Sequence, residues 1–476
     1  MLKQLIPYQA DSSALFARIK HLPWAIWLDS GHVCGQANTD LANAGEAKQG
    51  SAGRYDVMVA DPFCRVGADE QRSWIEQQGE LQYSSLDPFE LLKQTLAAYP
   101  QPRFELPFEG GAVGYFAYDL GHRIEQFSAR QSPCPIPTMQ VGIYDWALVV
   151  DHHLKQTFLV SHQQHPATAQ QWPHLLQLLS APRASAAETT QSFNVHGEVH
   201  SNLSPSQYAQ AFQAIQQYIH AGDCYQVNLA QRFRIQASGD AYSAYCALRQ
   251  LSPAPFMAMM NLGTAQQPLQ ILSASPERFL RVLGGAVETR PIKGTRARLS
   301  QPELDAAQAS QLKNSRKDQA ENLMIVDLLR NDLGKVCEIG SVQVSELFKL
   351  ESYANVHHLV STVRGQLAAG KTAIDLLRAC FPGGSITGAP KLRAMQIIEA
   401  LEPDARGVYC GAIAYIGFDG NMDSNIPIRT AVYQQGQFDF WAGGGIVADS
   451  EQQKEYQETW DKASAMLQLI SQLKQS

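Results

Sequence analysis

Apolar and polar positions divide the chain into stretches of two kinds. Over the first 160 residues the apolar positions come in short β-like runs broken by turns. Residues 24–28 are apolar throughout, residues 55–59 alternate less cleanly, and a stretch rich in Gly, Asn and Ala separates them. Residues 142–150 read as one buried strand with 157–160 as its hairpin partner. Residues 110–116 are dense in glycine and aromatics, as expected where backbone passes close to another group. A proline-led helix is predicted after Ser204, over 205–219. Further on, the pattern predicts helices over 242–251, 302–312, 315–329, 373–379, 390–401 and 450–473. It predicts strands over 225–234, 256–261, 269–273, 277–282, 286–289, 357–364, 410–418, 428–433 and 437–441. This order is α+β and lacks the regular βαβ alternation of a Rossmann sheet.

Composition shifts to Ala, Ser, Thr, Pro and His over 181–204, which reads as a linker between an N-terminal region (1–180) and a C-terminal region (205–476). The chain has 38 Lys+Arg against 45 Asp+Glu, net −7. Such a surface does not attract a nucleic-acid backbone or an anionic membrane. The eight cysteines are scattered, with no CxxC pair, so neither a disulfide framework nor a zinc site is indicated. The first residues lack the apolar core of a secretory signal, and no run is long enough to cross a bilayer, so a cytoplasmic location is expected.

Several segments carry candidate chemistry. In the last helix, Glu451, Glu455, Glu458 and Lys462 share a face, behind an expected capping box of Ser450 and Gln453. Just upstream, Gly443, Gly444 and Gly445 fall between a strand and that helix, where free amides can cradle an anion. Glu321 lies on a second helix, and carboxylates from two helices suit Mg2+; a solvated acidic face is the plain alternative. The run FPGGSITGAPK (381–391) resembles a phosphate loop but has Ala389 where the lysine belongs. Its amides and the Ser385 and Thr387 hydroxyls remain ligand candidates. In ETRPIKGTR (288–296), Lys293 reads as a lysine in a partly desolvated turn, able to become a neutral nucleophile, or else as a surface lysine. Glu277 beside a tight turn suits a general acid, or a salt bridge to Arg278.

Taken in order, SASPERFL, ETRPIKGT, DQAENLMIVDLLRNDLG, HHLVSTVRG, FPGGSITGAPK, GAIAYIG and AGGGIVADS resemble the chorismate-utilising anthranilate synthase component I family. The N-terminal LDS (28–30) and EGGAVGYFAYD (109–119) extend that resemblance over nearly the whole chain. It implies two large antiparallel or mixed β-sheets packed as a sandwich with flanking helices. Lys293 stands where anthranilate and isochorismate synthases usually carry alanine. Gln226 stands where water-using members carry a basic lysine, and glutamine cannot take a proton from water. The lysine resembles the branch that makes 4-amino-4-deoxychorismate for para-aminobenzoate and folate biosynthesis, and the glutamine argues against water as the nucleophile.

The resemblance further implies Lys293 as nucleophile at ring carbon C2, Glu277 as acid for the C4 hydroxyl and His358 near that leaving group. It implies Mg2+ on Glu321 and Glu458 with Glu455 nearby. Thr387, Tyr415, Arg429, Lys462 and the amides of Gly444 and Gly445 would hold the substrate's carboxylates and enolpyruvyl group. Leu28, Ser30, Arg54, Tyr55, Pro255, Phe256 and Met257 would line a tryptophan pocket, with ordinary sandwich packing as the alternative. No cysteine sits in a GxCxG elbow, so a separate glutaminase subunit is expected to supply ammonia in a heterodimer. An anthranilate synthase component or a non-catalytic tryptophan-binding relative are the other readings.

Overall fold

The computed structural model describes residues 1–32, 53–127, 134–181, 192–264, 267–352 and 356–475. Cys34, most of the Gly/Asn/Ala stretch and residues 182–191 of the expected linker lie outside them. Two 12-stranded sheets pair antiparallel throughout their described ladders, eleven strands of each in one order and a twelfth beside it: Gly388–Ala389 on Gln226–Ser238 in the first, and Gln343–Ser352 on Val356–Gln366 in the second. The first runs, neighbour to neighbour, Leu2–Ile6, Gln156–Ser161, Trp146–Asp151, Tyr55–Val59, Ile26–Asp29, Phe256–Asn261, Leu269–Ser275, Thr430–Gln434, Gln437–Ile446, Gln226–Ser238 and Asn194–Ser201. The second runs Ile292–Ala297, Val356–Gln366, Ala286–Thr289, Arg278–Leu283, Met422–Asn425, Ala412–Gly417, Gly111–Phe116, Met139–Tyr144, Cys64–Ala68, Ser73–Gln77 and Glu80–Ser84. Strands from both sides of residues 181–204 therefore enter each sheet.

Four apolar clusters fill this frame. One, including Ile26, Val57, Val113, Tyr115, Ile271 and Ile413, draws on both sheets and fills the space between them. A second packs the outer face of the second sheet against helices Pro88–Ala97, Arg316–Gly334 and Ala373–Cys380. A third packs the first sheet against helices Ser13–Ile19, Pro166–Ser180, Ala241–Leu251 and Gln452–Gln475. The fourth seats helices Pro205–His220 and Lys391–Leu401 over the end of Gln226–Ser238. The result is the helix–sheet–sheet–helix sandwich that the family resemblance implies.

Several local expectations are corrected. Residues 142–150 are two strands: the chain breaks at Asp145, whose buried carboxylate accepts from the Gln164 and His165 amides, and crosses from one sheet to the other. Within the expected linker, Asn194–Ser201 is an edge strand on Gln226–Ser238. Gly443, Gly444 and Gly445 lie inside strand Gln437–Ile446, opposite Ala230, Leu229 and Asn228, and so form no loop. Lys293 is on a strand, Ile292–Ala297, where a turn was expected. Ser450 forms no capping box with Gln453; its hydroxyl accepts from the Val447 amide and donates to Glu455 at 2.7 Å. Ser204 and Gln207 do form one, at the head of Pro205–His220.

Candidate active site

The register of Ile292–Ala297 on Val356–Gln366 shifts between Ile292 and Thr295, with Gly294 at φ +80°. Such a bulge re-aims a side chain. A Cβ on Gly294 would lie 2.8 Å from Leu312, so glycine is required there. The bulge turns Lys293 inward, and its Nζ donates to the Ser385 carbonyl at 3.0 Å. Burial depresses the amine's pKa and nearby Lys462 adds to this, against the pull of Glu277, Glu321 and Glu458.

Glu277 sits between strands Leu269–Ser275 and Arg278–Leu283, where its amide donates to Ser275 Oγ. Its carboxyl accepts from Ser385 Oγ at 3.0 Å and from the Ile292 amide. Burial raises its pKa, and this outweighs Lys293 and the hydrogen bonds. Lys293 and Glu277 thus have displaced affinities for the proton, in the directions that favour a neutral amine and a neutral acid. Arg278, the expected salt-bridge partner, turns away to Asp423 at 2.9 Å and Glu288 at 3.6 Å.

Ser385 is held by the fold. Its turn packs so closely on Arg316–Gly334 that a Cβ on Gly384 would lie 2.3 Å from Leu328. Arg406, fully buried, donates to the Ile386 carbonyl at 3.0 Å, to Asn228 and to Glu402. Lys391, the last residue of the motif, is also committed to structure, pairing with buried Asp332 at 2.6 Å. Thr387 donates its hydroxyl proton to the Gly383 carbonyl at 3.0 Å, so it reaches a ligand only as an acceptor.

His358 meets Thr295 Oγ1 at 2.9 Å, and burial together with Arg429 pushes its pKa down to about 4, so it is neutral at physiological pH. Arg429 stands at φ +52°, and burial lowers its pKa. No carboxylate among the described residues pairs with it. A desolvated guanidinium with no carboxylate beside it has the chemistry to accept an anionic group.

Glu321, on helix Arg316–Gly334, faces Glu455 and Glu458 on helix Gln452–Gln475. Burial raises the pKa of Glu321 and of Glu455, and Glu455 adds to the shift at Glu321. Burial also works on Glu458, but Lys462, 2.7 Å away, brings it below its ordinary value. Lys462 also donates to the Gly443 carbonyl at 2.9 Å. A Cβ on Gly444 would sit 3.3 Å from Glu455 and 3.4 Å from Glu458, so the bare backbone gives these carboxylates their room. No three His, Cys, Asp or Glu side chains among the described residues converge as a complete cage. Mg2+ needs only one or two carboxylates beside waters and ligand oxygens, and the acids present fit that requirement.

Gln226 is fully buried, with both polar side-chain atoms unpartnered, beside Gly445. Tyr415 is not part of this group. Its side chain faces the inter-sheet cavity, which is also lined by Leu28, Tyr55, Pro255, Phe256 and Met257. Two residues expected on that wall are elsewhere: Arg54 is locked to Asp151 at 2.6 Å, and Ser30 is buried beneath, its hydroxyl unpartnered. Arg406 was not anticipated, because a single arginine in a loop carries no pattern.

The model of the family described as chorismate binding enzyme matches residues 43–468. Aminodeoxychorismate synthase component 1 of Klebsiella aerogenes is 45% identical over 97% of both chains. The protein of that name from Escherichia coli is 44% identical over 96% of this chain and 95% of its own. The crystal structure of anthranilate synthase component I from Streptococcus pneumoniae superposes with a TM-score of 0.78 at 31% identity, covering 89% of this chain and 94% of that one.

Proposed function

The chain belongs to the chorismate-binding enzymes, on the branch of the aminodeoxychorismate synthase component 1 proteins, and from that premise we propose that it converts chorismate and ammonia to 4-amino-4-deoxychorismate. The observation that carries the reading is the pairing of half-buried Lys293 with buried Glu277 at the site, each displaced by desolvation from its ordinary pKa toward the uncharged form. Neutral Lys293 attacks C2 of chorismate, and Glu277 gives its proton to the departing C4 hydroxyl, which leaves as water. Ammonia then attacks C4 and expels the lysine amine. Arg429 and Lys462 receive the substrate's negative groups, and neutral His358 flanks the ring without adding charge. Glu321 and Glu458, with Glu455 beside them, are the residues to hold Mg2+; when bound, the ion supplies positive charge for the ring carboxylate.

A separate glutaminase subunit is the proposed ammonia source. Supporting this, burial raises every described cysteine thiol, pushing Cys64 and Cys410 up to about 12 and Cys246 and Cys337 up to about 11, so none is a poised thiolate. The inter-sheet cavity, largely apolar and aromatic with Arg278, Asp423 and Asn425 in its lining, suits tryptophan as a bound ligand. No helix among the described residues is long and apolar enough to cross a membrane.

The test is incubation of the purified chain with chorismate, Mg2+ and ammonium salt. 4-Amino-4-deoxychorismate is expected, and glutamine alone is expected to yield no glutamate. The structural likeness to an anthranilate synthase component sets the second reading, and fluorescent anthranilate formed without another enzyme would establish it instead.

A further inference from the structure

Glu277 is buried, Lys293 is half-buried and the two are opposite in charge type, yet they form no ion pair within 4 Å of one another. Ser385 stands between them. Its carbonyl accepts from Lys293 Nζ at 3.0 Å, and its hydroxyl donates to Glu277 Oε1 at 3.0 Å. We infer that Ser385 is a positioning residue that holds the nucleophile and the acid at a fixed separation and keeps them from collapsing into a direct salt bridge. The inference rests on the roles proposed above for Lys293 and Glu277.

The chemistry follows from proton counting. An ammonium beside a carboxylate carries as many protons as an amine beside a carboxylic acid, so the pair has two isomeric forms, and only the second can do the proposed work. Burial of both groups favours the uncharged form. A direct ion pair would favour the charged one and trap the lysine. The hydroxyl of Ser385 also favours the carboxylate, though more weakly than an adjacent ammonium would, while the carbonyl keeps the amine out of contact. The other groups facing the pair include the Ile292 amide, Lys462 and the Cys410 thiol at Glu277, and Lys462, Glu321 and Glu458 at Lys293. None of them bridges the two. Ser385 can do so because Arg406 and the Gly384–Leu328 packing hold its backbone from behind.

The test compares the parent chain with Ser385→Ala, Ser385→Thr and Ser385→Cys in two assays. One is steady-state turnover of chorismate with ammonium. The other is the rate at which acetic anhydride modifies Lys293, read by mass spectrometry, which follows the neutral fraction of the amine and needs no turnover. Ser385→Ala is expected to lower kcat by about a hundredfold with KM changed by less than about twofold, since Glu277 is no longer aimed. Its Lys293 modification rate is expected to shift from the parent's at the same pH. Ser385→Thr, which keeps the hydroxyl, is expected to restore both; should the added methyl prevent folding, the weaker donor of Ser385→Cys is expected to give intermediate values in both assays. A Ser385→Ala protein with kcat within about twofold of the parent and unchanged Lys293 modification would overturn the inference. So would a folded Ser385→Thr no better than alanine. A parent chain that leaves chorismate unconsumed would instead defeat the proposed function, and the modification rates would still decide whether Ser385 governs Lys293.

Discussion

Arg406 Nη1 donates to the Ile386 carbonyl at 3.0 Å, while the same guanidinium pairs with Glu402 at 2.6 Å and both side chains are almost wholly buried. Glu402 in turn accepts from the Ala230 amide, and Arg406 reaches the Asn228 carbonyl. One ion pair thereby ties the Ser385 turn to strand Gln226–Ser238. Breaking a buried pair from one side leaves an uncompensated charge. Arg406→Met is expected to cost about 3–5 kcal/mol of unfolding free energy, measured by urea titration. Adding Glu402→Leu should recover part of that loss, and additive losses would contradict the assignment.

Glu277→Gln keeps the shape of the acid and removes its proton. kcat is expected to fall about 10²–10⁴-fold while the far-ultraviolet dichroism stays native. Lys293→Ala is expected to abolish any adduct that denaturing mass spectrometry detects on the parent chain during turnover, and to reduce aminodeoxychorismate formation. Unchanged turnover in Lys293→Ala would remove the lysine from the mechanism.

Gly444→Ala tests the acidic cluster through its backbone. The new methyl would stand 3.3–3.4 Å from Glu455 and Glu458 and push the carboxylates aside. Mg2+ affinity, followed by isothermal titration calorimetry, is expected to weaken by about 10–100-fold, as when a metal ligand's supporting contact is lost. Glu458→Gln should weaken it at least as much. Mg2+ binding that survives both changes at full affinity would place the ion elsewhere.

Stability should depend on pH through His358. Its folded pKa, lowered to about 4, lies below an ordinary value of 6.5. The unfolded chain therefore binds more protons in the window between them, so this contribution is complete above about pH 6.5 and is lost as pH falls toward 4. The gap between the two values corresponds to roughly 3 kcal/mol. Urea titrations at pH 7 and pH 4.5 should show most of that loss in the parent and a flatter dependence in His358→Gln. An equal slope in both would mean that other groups carry the acid sensitivity.

Most elements were legible in the sequence because their signals are local. Pro205 behind Ser204, with Gln207 as the third residue, dictates where a helix starts. Residues 55–59, 256–261 and 286–289 are strands with the expected bounds. The failures are positions where a tertiary neighbour overrides local preference. Three glycines read as a loop until strand Gln226–Ser238 pairs with them. An unbroken apolar run reads as one strand until Asp145 finds two backbone amides and the chain changes sheets.

The same division runs through the site. The identities of Lys293, Glu277, Glu321 and Glu458, and glutamine at 226 in place of a base, were readable from motifs, since each motif preserves a residue type that the chemistry needs. Their usefulness was not readable. Burial makes Lys293 less basic and Glu277 less acidic, and burial arises only when strands from both halves of the chain close the two sheets. Alternation along strand Ala412–Gly417 sends Tyr415 to the inter-sheet cavity, whereas Arg406 meets the carbonyl of Ile386, the residue after Ser385 and 20 positions away along the chain. Residue order settles which functional groups the protein owns. Their protonation, their separation and the cavity they face follow from folding, because those depend on desolvation and packing by residues far away along the chain.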